Sequence, residues 1–278
     1  MVKDTVKRLL TGVGAFDALR YSFVYEVFLT VFRPDQVRGR KAEVAFYRRA
    51  LGPFPDDAVI FDVGGNRGFK SEVFVHLAPT VVCVEPDRSN VEILRKKFRS
   101  TPAVTIVDAA VGAEAGQLMF NVIEAGSAYN TLSTKWVESL GHADGTSRPA
   151  LTLQEQYPVR VVTLDAMIAR HGTPHYIKVD VEGFELEVIQ GLSSPVPYLS
   201  FELNLPDFRA EGLMIAERLA TIMPGVRFNY CAEPAAEAFS SQQDLKSAEW
   251  LDLDAFSALL SATTEPYLEV YAHDARGR

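Results

Sequence analysis

Cysteine is scarce in this chain: Cys83 and Cys231 are the only two among 278 residues. Two thiols exclude a disulfide framework, and Cys83 lies inside a strongly apolar run, so the expected setting is a reducing, cytoplasmic one. Long hydrophobic runs are missing too. The longest apolar-aromatic stretch, Tyr21 to Phe32, is broken by Glu26 and falls short of the roughly 20 residues that span a bilayer. The opening MVKDTVKRLL carries charges where a secretory leader needs an apolar core. Neither a leader nor a transmembrane helix is therefore expected. Excess positive charge is also lacking. A net charge of −8 and a pI near 5.2 argue against nucleic-acid binding driven by phosphate neutralisation. Of the five histidines, His142, His171 and His175 sit at spacings that resemble no zinc site. No Gly-x-Ser-x-Gly elbow and no Gly-Lys-Ser/Thr phosphate loop occurs, which disfavours a serine hydrolase or a P-loop NTPase.

The composition, 47% hydrophobic and 23% charged, is that of a globular chain and excludes a disordered or fibrous one. The charge is unevenly spread. Residues 1–50 carry ten Lys/Arg against five Asp/Glu, so that segment is +5 and the remainder −13. The same segment holds Phe16, Tyr21, Phe23, Tyr25, Phe28, Phe32, Phe46 and Tyr47. Two readings stand: a basic, aromatic surface that docks on an anionic membrane or a partner, or helices whose aromatics pack on the main domain. Residues 1–55 thus read as a helical extension, and 56–278 as the main domain.

From Val59 the chain alternates short β-branched runs with helical patterns. Strands are expected at Val59–Asp62, Val81–Glu85, Val104–Asp108, Tyr176–Asp180, Leu199–Leu203, Val226–Tyr230 and Leu268–Ala272. Their nearly continuous apolar character suits strands buried on both faces of a parallel sheet. Helices are expected at Phe69–Leu77, Asn90–Phe98, Phe184–Gln190, Leu213–Ile222 and Ala255–Leu260. This order predicts an α/β fold with a doubly wound, mostly parallel seven-stranded sheet. Gln117–Ile123 and Val159–Leu164 also read as strands, flanking the Ser/Thr/Gly/Asn-rich stretch Glu124 to Pro158. That stretch is too long for a structureless loop, and residues 117–163 are expected to form a cap insertion, with a small helix near Thr134–Leu140.

Two segments carry chemistry. Val59-Ile60-Phe61-Asp62-Val63-Gly64-Gly65-Asn66-Arg67-Gly68 is a buried strand, an acid, a glycine turn and a helix start. Dinucleotides and S-adenosylmethionine both use such a turn. A carboxylate at the strand end, Asp62, repels a pyrophosphate and suits the ammonium of a methionine moiety, so the chemistry leans to S-adenosylmethionine. Glu85 ends the next strand, where an acid can accept from both ribose hydroxyls. Asp108, after the third strand, is placed to reach an adenine amino group or else to cap a turn. The second segment, Tyr176-Ile177-Lys178-Val179-Asp180-Val181-Glu182-Gly183-Phe184-Glu185, puts Lys178 and Asp180 on one strand face, with Glu182 at the turn. Glu202, in Phe201-Glu202-Leu203-Asn204, adds a third acid at the same rim. Such carboxylates are costly unless paired or functional; Lys178–Asp180 reads equally well as a structural ion pair. Glu185 and Glu187 are expected on the exposed face of the following helix.

Together, Phe61-Asp62-Val63-Gly64-Gly65-Asn66-Arg67-Gly68, Val84-Glu85-Pro86, Val162-Thr163-Leu164-Asp165 and Ile177-Lys178-Val179-Asp180-Val181-Glu182-Gly183 with Glu185 and Gly191 resemble the FkbM family of S-adenosylmethionine-dependent methyltransferases. The resemblance runs from about Val59 to Asn204. It implies a Rossmann-like class I methyltransferase fold and O-methylation of sugars, glycolipids or polyketide-type natural products. By position, Gly64, Gly65 and Asn66 would line the methionine end, with Gly68 closing the same turn, and Glu85 the ribose. Asp180 and Glu182 would stand at the reacting end. Family members usually carry Ala where this chain has Gly65, a change expected to keep the turn.

The expected catalyst is Asp180 or Glu182 acting as base on an acceptor hydroxyl, with Glu202 as the weaker candidate. The same carboxylates suit Mg²⁺ as an alternative, leaving the metal unassigned. Ser127, Tyr129, Asn130, Thr131 and Ser133 could contact a sugar or merely satisfy a solvated loop. The expected partners are a small-molecule or glycan hydroxyl acceptor and no nucleic acid, with a homo-oligomer and membrane contact through residues 1–50 left open. A nicotinamide-dependent oxidoreductase and a non-catalytic interaction protein are the alternatives.

Overall fold

The computed structural model describes residues 34–141, 152–232 and 244–276. The aromatics Phe16, Tyr21, Phe23, Tyr25, Phe28 and Phe32, and His142, lie outside the described residues.

The main sheet is built from β1 (Val59–Val63), β2 (Thr80–Glu85), β3 (Val104–Asp108), β7 (Tyr176–Val179), β8 (Tyr198–Asn204), β9 (Val226–Cys231) and β10 (Tyr267–Asp274). Its order is β3-β2-β1-β7-β8-β10-β9. The first five strands pair in parallel, while β10 enters antiparallel between β8 and β9. Every residue of β7 is buried, as a central strand covered on both faces must be. A smaller sheet, ordered β4-β6-β5, consists of β4 (Ala110–Val111), β5 (Gly116–Val122) and β6 (Glu155–Val162).

Period-two alternation splits the main strands between two cores. On one face Ile60, Val81, Tyr176 and Tyr271 pack with Phe46, Tyr47 and Leu51 of helix α1 (Pro34–Leu51) and Phe74 of α2 (Phe69–Phe74). Tyr47, Leu51, Tyr176 and Tyr271 are fully buried, each contributing on the order of 1.5–3 kcal/mol of apolar burial. On the same side Leu94 and Phe98, from and just after α3 (Arg88–Lys97), close on Cys83. On the other face Phe61, Val63, Ile177, Leu199 and Phe201 meet α5 (Leu164–His171), α6 (Glu185–Gln190), α7 (Arg209–Ile222) and α8 (Leu253–Ala262).

Three helices start on side-chain caps. Asp87 accepts from Ser89 N at 2.7 Å to begin α3, Thr163 from Ala166 N at 3.1 Å to begin α5, and Asp252 from Ala255 N at 2.9 Å to begin α8. The Thr163 cap corrects one expectation. The run read as a strand to Leu164 ends at Val162, and α5 starts at Leu164. Within the long polar stretch, α4 (Thr134–Gly141) forms and β6 already begins at Glu155; residues 142–151 lie outside the described ones.

Candidate functional site

The site grows from the carboxyl ends of β1, β2, β7 and β8. After Val63 the chain turns hard: Gly64 N and Gly65 N both donate to Val84 O at 3.0 Å, and Gly68 N closes on Gly65 O at 2.7 Å. Gly64, Asn66 and Gly68 take left-handed backbone, with φ of 81°, 47° and 74°. At Gly64 a side chain is also sterically impossible, because a Cβ would stand 1.7 Å from the carbonyl oxygen of Asp180. The two sequence motifs are therefore in contact, and Asp180 N donates to Val63 O at 3.0 Å to complete the junction.

Glu85 sits at the end of β2 beside this turn. It is 5% exposed. Its Oε2 accepts from Asn66 N at 2.7 Å and its Oε1 from Asp87 N at 2.8 Å. Each oxygen keeps a further lone pair for a diol. Burial pushes its carboxyl up to about 8, even though both N–H groups favour the ionised form. Asp62 turns inward under the loop, accepting from Ser71 Oγ at 2.6 Å. Burial raises its carboxyl against the opposing charge of Lys178. Asp108 is the register partner of Glu85, but its half-exposed carboxylate pairs with Arg95 at 2.9 Å.

The reacting rim is acidic. Lys178, Ser200 and Asp62 are lateral neighbours in the sheet, and the Lys178 ammonium holds Asp180 Oδ2 at 2.5 Å. Burial acts against both charges. For Lys178 the charges of Asp180, Glu269 and Asp62 outweigh it and keep the ammonium protonated. For Asp180 the ammonium outweighs it and holds the carboxyl below its usual range. Glu182 occupies left-handed backbone at φ 57°. One oxygen each from Asp180, Glu182 and Glu202 lies within 4.8 Å of the other two. Burial, then the Asp180 charge, drives the carboxyls of Glu182 and Glu202 well above the usual range. Asp180 thus favours the anion, while Glu182 and Glu202 have a raised affinity for a proton.

The model of the methyltransferase FkbM domain matches residues 62–208, more than half of the chain. The chain belongs to the FkbM methyltransferase family. A search of curated protein sequences finds no match. Among solved structures, it is similar to the precorrin-6y C5,15-methyltransferase from Geobacter metallireducens, at 12% identity and a TM-score of 0.41, covering 85% of this chain and 86% of that one. It is similar to the tRNA (m1A58) methyltransferase TrmI from Aquifex aeolicus, at 11% identity, TM-score 0.39, covering 84% and 68%. It is also similar to the plantazolicin methyltransferase BpumL, solved with a triazolic desmethylPZN analog and SAH, at 9% identity, TM-score 0.36, covering 90% and 89%. The seven-stranded sheet with its antiparallel β10 is the Rossmann-like class I methyltransferase fold.

Several residues of this FkbM methyltransferase stand elsewhere than the sequence suggests. Glu185, expected on an exposed helix face, is 4% exposed. It folds back to accept from Val181 N at 3.2 Å and Gly183 N at 3.3 Å, closing the β7–α6 turn, and burial pushes its carboxyl up to about 7. Gly65 lies outside the left-handed region, so its backbone would admit the usual family alanine. Its neighbour would not: a Cβ there meets Cys83 Sγ at 2.3 Å. Lys97 escaped sequence reading. Its buried ammonium donates to Arg67 O at 2.9 Å and Gly68 O at 3.0 Å and pairs with Glu72 at 3.1 Å, bracing the glycine turn from behind. Glu269 was missed as well. It is the direct cross-strand partner of Glu202, buried, with its Oε1 unpartnered among the described residues. A basic residue in the last turn of an amphipathic helix and an acid inside an apolar strand were the available signals.

Proposed function

We propose that this protein is an S-adenosylmethionine-dependent O-methyltransferase acting on a hydroxyl of a sugar, glycolipid or polyketide-type natural product. The observation that carries the reading is the contact between the glycine turn and the three-carboxylate rim, with Glu85 at the next strand end. The free lone pairs of Glu85 fit a ribose diol, and the turn Gly64–Gly68 leaves the backbone open beside it. When bound, S-adenosylmethionine supplies a methyl already activated by its sulfonium. The chain's own residues then do the rest. Glu182, backed by Glu202, takes the proton of the attacking hydroxyl. Asp180, locked to Lys178, orients that hydroxyl as a fixed acceptor, so the protein acts mainly by alignment.

The three carboxylates also form an all-oxygen set that suits Mg²⁺. A cation held there by Asp180, Glu182 and Glu202 would polarise the acceptor oxygen. The buried thiols of Cys83 and Cys231 suit a cytoplasmic setting. Among the described residues no helix is long and apolar enough to cross a membrane.

The test is calorimetric titration with S-adenosylhomocysteine, with NAD as the parallel ligand. Binding of the former alone supports the reading; binding of NAD alone overturns it in favour of an oxidoreductase, and binding of neither in favour of an interaction protein. Methyl transfer to a panel of glycosides and glycolipids then identifies the acceptor, and EDTA separates metal-assisted from metal-free turnover. Asp180→Asn and Glu182→Gln are expected to abolish turnover while leaving S-adenosylhomocysteine affinity intact. Normal turnover in both would remove these residues from the chemistry.

A further inference from the structure

Between β5 and α4 the chain runs from the Glu85 corner to the Glu182 turn, and Asn130, Thr131 and Ser133 along it are buried. At the first end Asp87 Oδ2 accepts from Asn130 Nδ2 at 2.6 Å and from Gly126 N at 3.3 Å, while the Asp87 backbone N–H is the one that Glu85 Oε1 accepts. Asn130 is used up by this fold: its Oδ1 accepts from Ile123 N at 2.8 Å and Glu124 N at 3.2 Å, and its Nδ2 also donates to Glu124 O at 2.7 Å. One residue on, Thr131 exchanges both backbone hydrogen bonds with Asn121, at 2.8 and 3.1 Å. Its hydroxyl, on a residue 1% exposed, donates to Glu182 O at 2.7 Å, with Val181 O at 3.2 Å, and accepts from Ser133 N at 2.9 Å. Thr131 thus holds the backbone of a residue in left-handed conformation, φ 57°, which a side chain bearing a Cβ adopts only when its surroundings impose it.

We propose that Thr131 is a positioning residue: through the Glu182 carbonyl it fixes the turn that delivers the Glu182 carboxylate to Asp180 and Glu202. The Asn130–Asp87 bond ties this placement to the Glu85 corner. A ligand filling that corner therefore steadies the reacting turn across the clasp Asp87–Asn130–Thr131–Glu182. The inference rests on the reading that Glu85 receives the cofactor ribose and Glu182 works at the reacting end. It assigns these loop side chains to the protein rather than to the acceptor.

The test is amide hydrogen exchange on the full chain, with and without S-adenosylhomocysteine, in wild type, Thr131→Val and Thr131→Ser. In wild type the ligand is expected to slow exchange in both the 124–131 segment and the 181–183 turn. Thr131→Val keeps the side-chain volume and removes the donor. Its 181–183 amides are expected to exchange about tenfold faster, the loss of one buried hydrogen bond, and to stop responding to the ligand, while ligand affinity changes less than about twofold. Thr131→Ser, which restores the hydroxyl, is expected to restore both protection and response. Wild-type exchange at 181–183 in Thr131→Val, or failure of Thr131→Ser to recover it, overturns the proposal. A wild-type protein that does not bind S-adenosylhomocysteine overturns the cofactor reading and the ligand coupling. The ligand-free comparison of Thr131→Val with wild type still decides whether Thr131 holds the turn.

Discussion

Gly65→Ala introduces the residue that FkbM relatives usually carry, and it is expected to destabilise this chain. The added Cβ would lie 2.3 Å from Cys83 Sγ, against a comfortable contact of about 3.6 Å, so the two atoms must separate by roughly 1.3 Å. The sulfur has little room to yield. Cys83 is fully buried on β2, with Leu94 and Phe98 packed over it. Overpacking of this kind costs about 1–3 kcal/mol, which in a chain of this size lowers Tm by roughly 2–5 °C. Cys83→Ala alone forfeits about 1 kcal/mol of buried packing. The double variant Gly65→Ala/Cys83→Ala removes the clash, so the two changes are expected to couple favourably by about 1–2 kcal/mol. Thermal and urea unfolding of the four proteins measure this directly. An unchanged Tm in Gly65→Ala, or a double variant no more stable than the sum of the singles, would refute the packing argument.

Three other outcomes are expected. Burial raises Glu85 to about 8 and Glu185 to about 7 from an ordinary value of 4.5, so the native state binds more protons than the unfolded state across that window. Through these groups stability is expected to fall as pH rises from about 5 to 8, by an amount on the order of several kcal/mol, with His171 and His175, both lowered by burial, opposing the trend only below about pH 6.5. The lowered Asp180 and raised Lys178 act outside this window; a Tm that climbs over the same range would contradict the sign. Asp87→Ala removes both the α3 cap and the acceptor for Asn130 and is expected to cost about 2–4 kcal/mol in urea unfolding, where a loss below 1 kcal/mol would be too small. Finally, both cysteines are buried, and burial pushes the Cys231 thiol up to about 12 and the Cys83 thiol higher than usual. Neither is expected to react with iodoacetamide at pH 8 until the protein unfolds, and labelling of the native protein at either site would disprove this.

The central strands of the main sheet were legible because both of their faces are covered, which leaves runs such as Val81–Val84 apolar throughout. The same run-reading fails at Val162–Leu164. There the apolar character continues across a change of backbone, and the switch is signalled only by Thr163, whose hydroxyl caps the helix. Glu185 misled for a related reason. An acid at a helix start usually faces water, but here the β7–α6 turn leaves two N–H groups, of Val181 and Gly183, that only this side chain answers. The carboxylate rim was legible at the ends of two neighbouring strands, Asp180 and Glu182 from spacing within one segment and Glu202 from the next. Glu269 and the Thr131 clasp were not, since they depend on register between strands and loops far apart in sequence. Local patterns report what a residue is next to along the chain, and these contacts are set by topology.

The position of β10 bears on how the protein is made. It is the last of the described strands to leave the ribosome, yet it lies inside the sheet, bonded to β8 on one side and β9 on the other. Until residues 267–274 emerge, β8 therefore carries an open hydrogen-bonding edge beside the rim residue Glu202, and β9 has no neighbour in the main sheet. An unpaired edge of that kind invites pairing with another nascent chain, and pairings so distant in sequence close slowly. The newborn protein thus passes through an interval in which the glycine turn can already meet Asp180 while the adjoining edge stays exposed, and the arrival of β10 ends it.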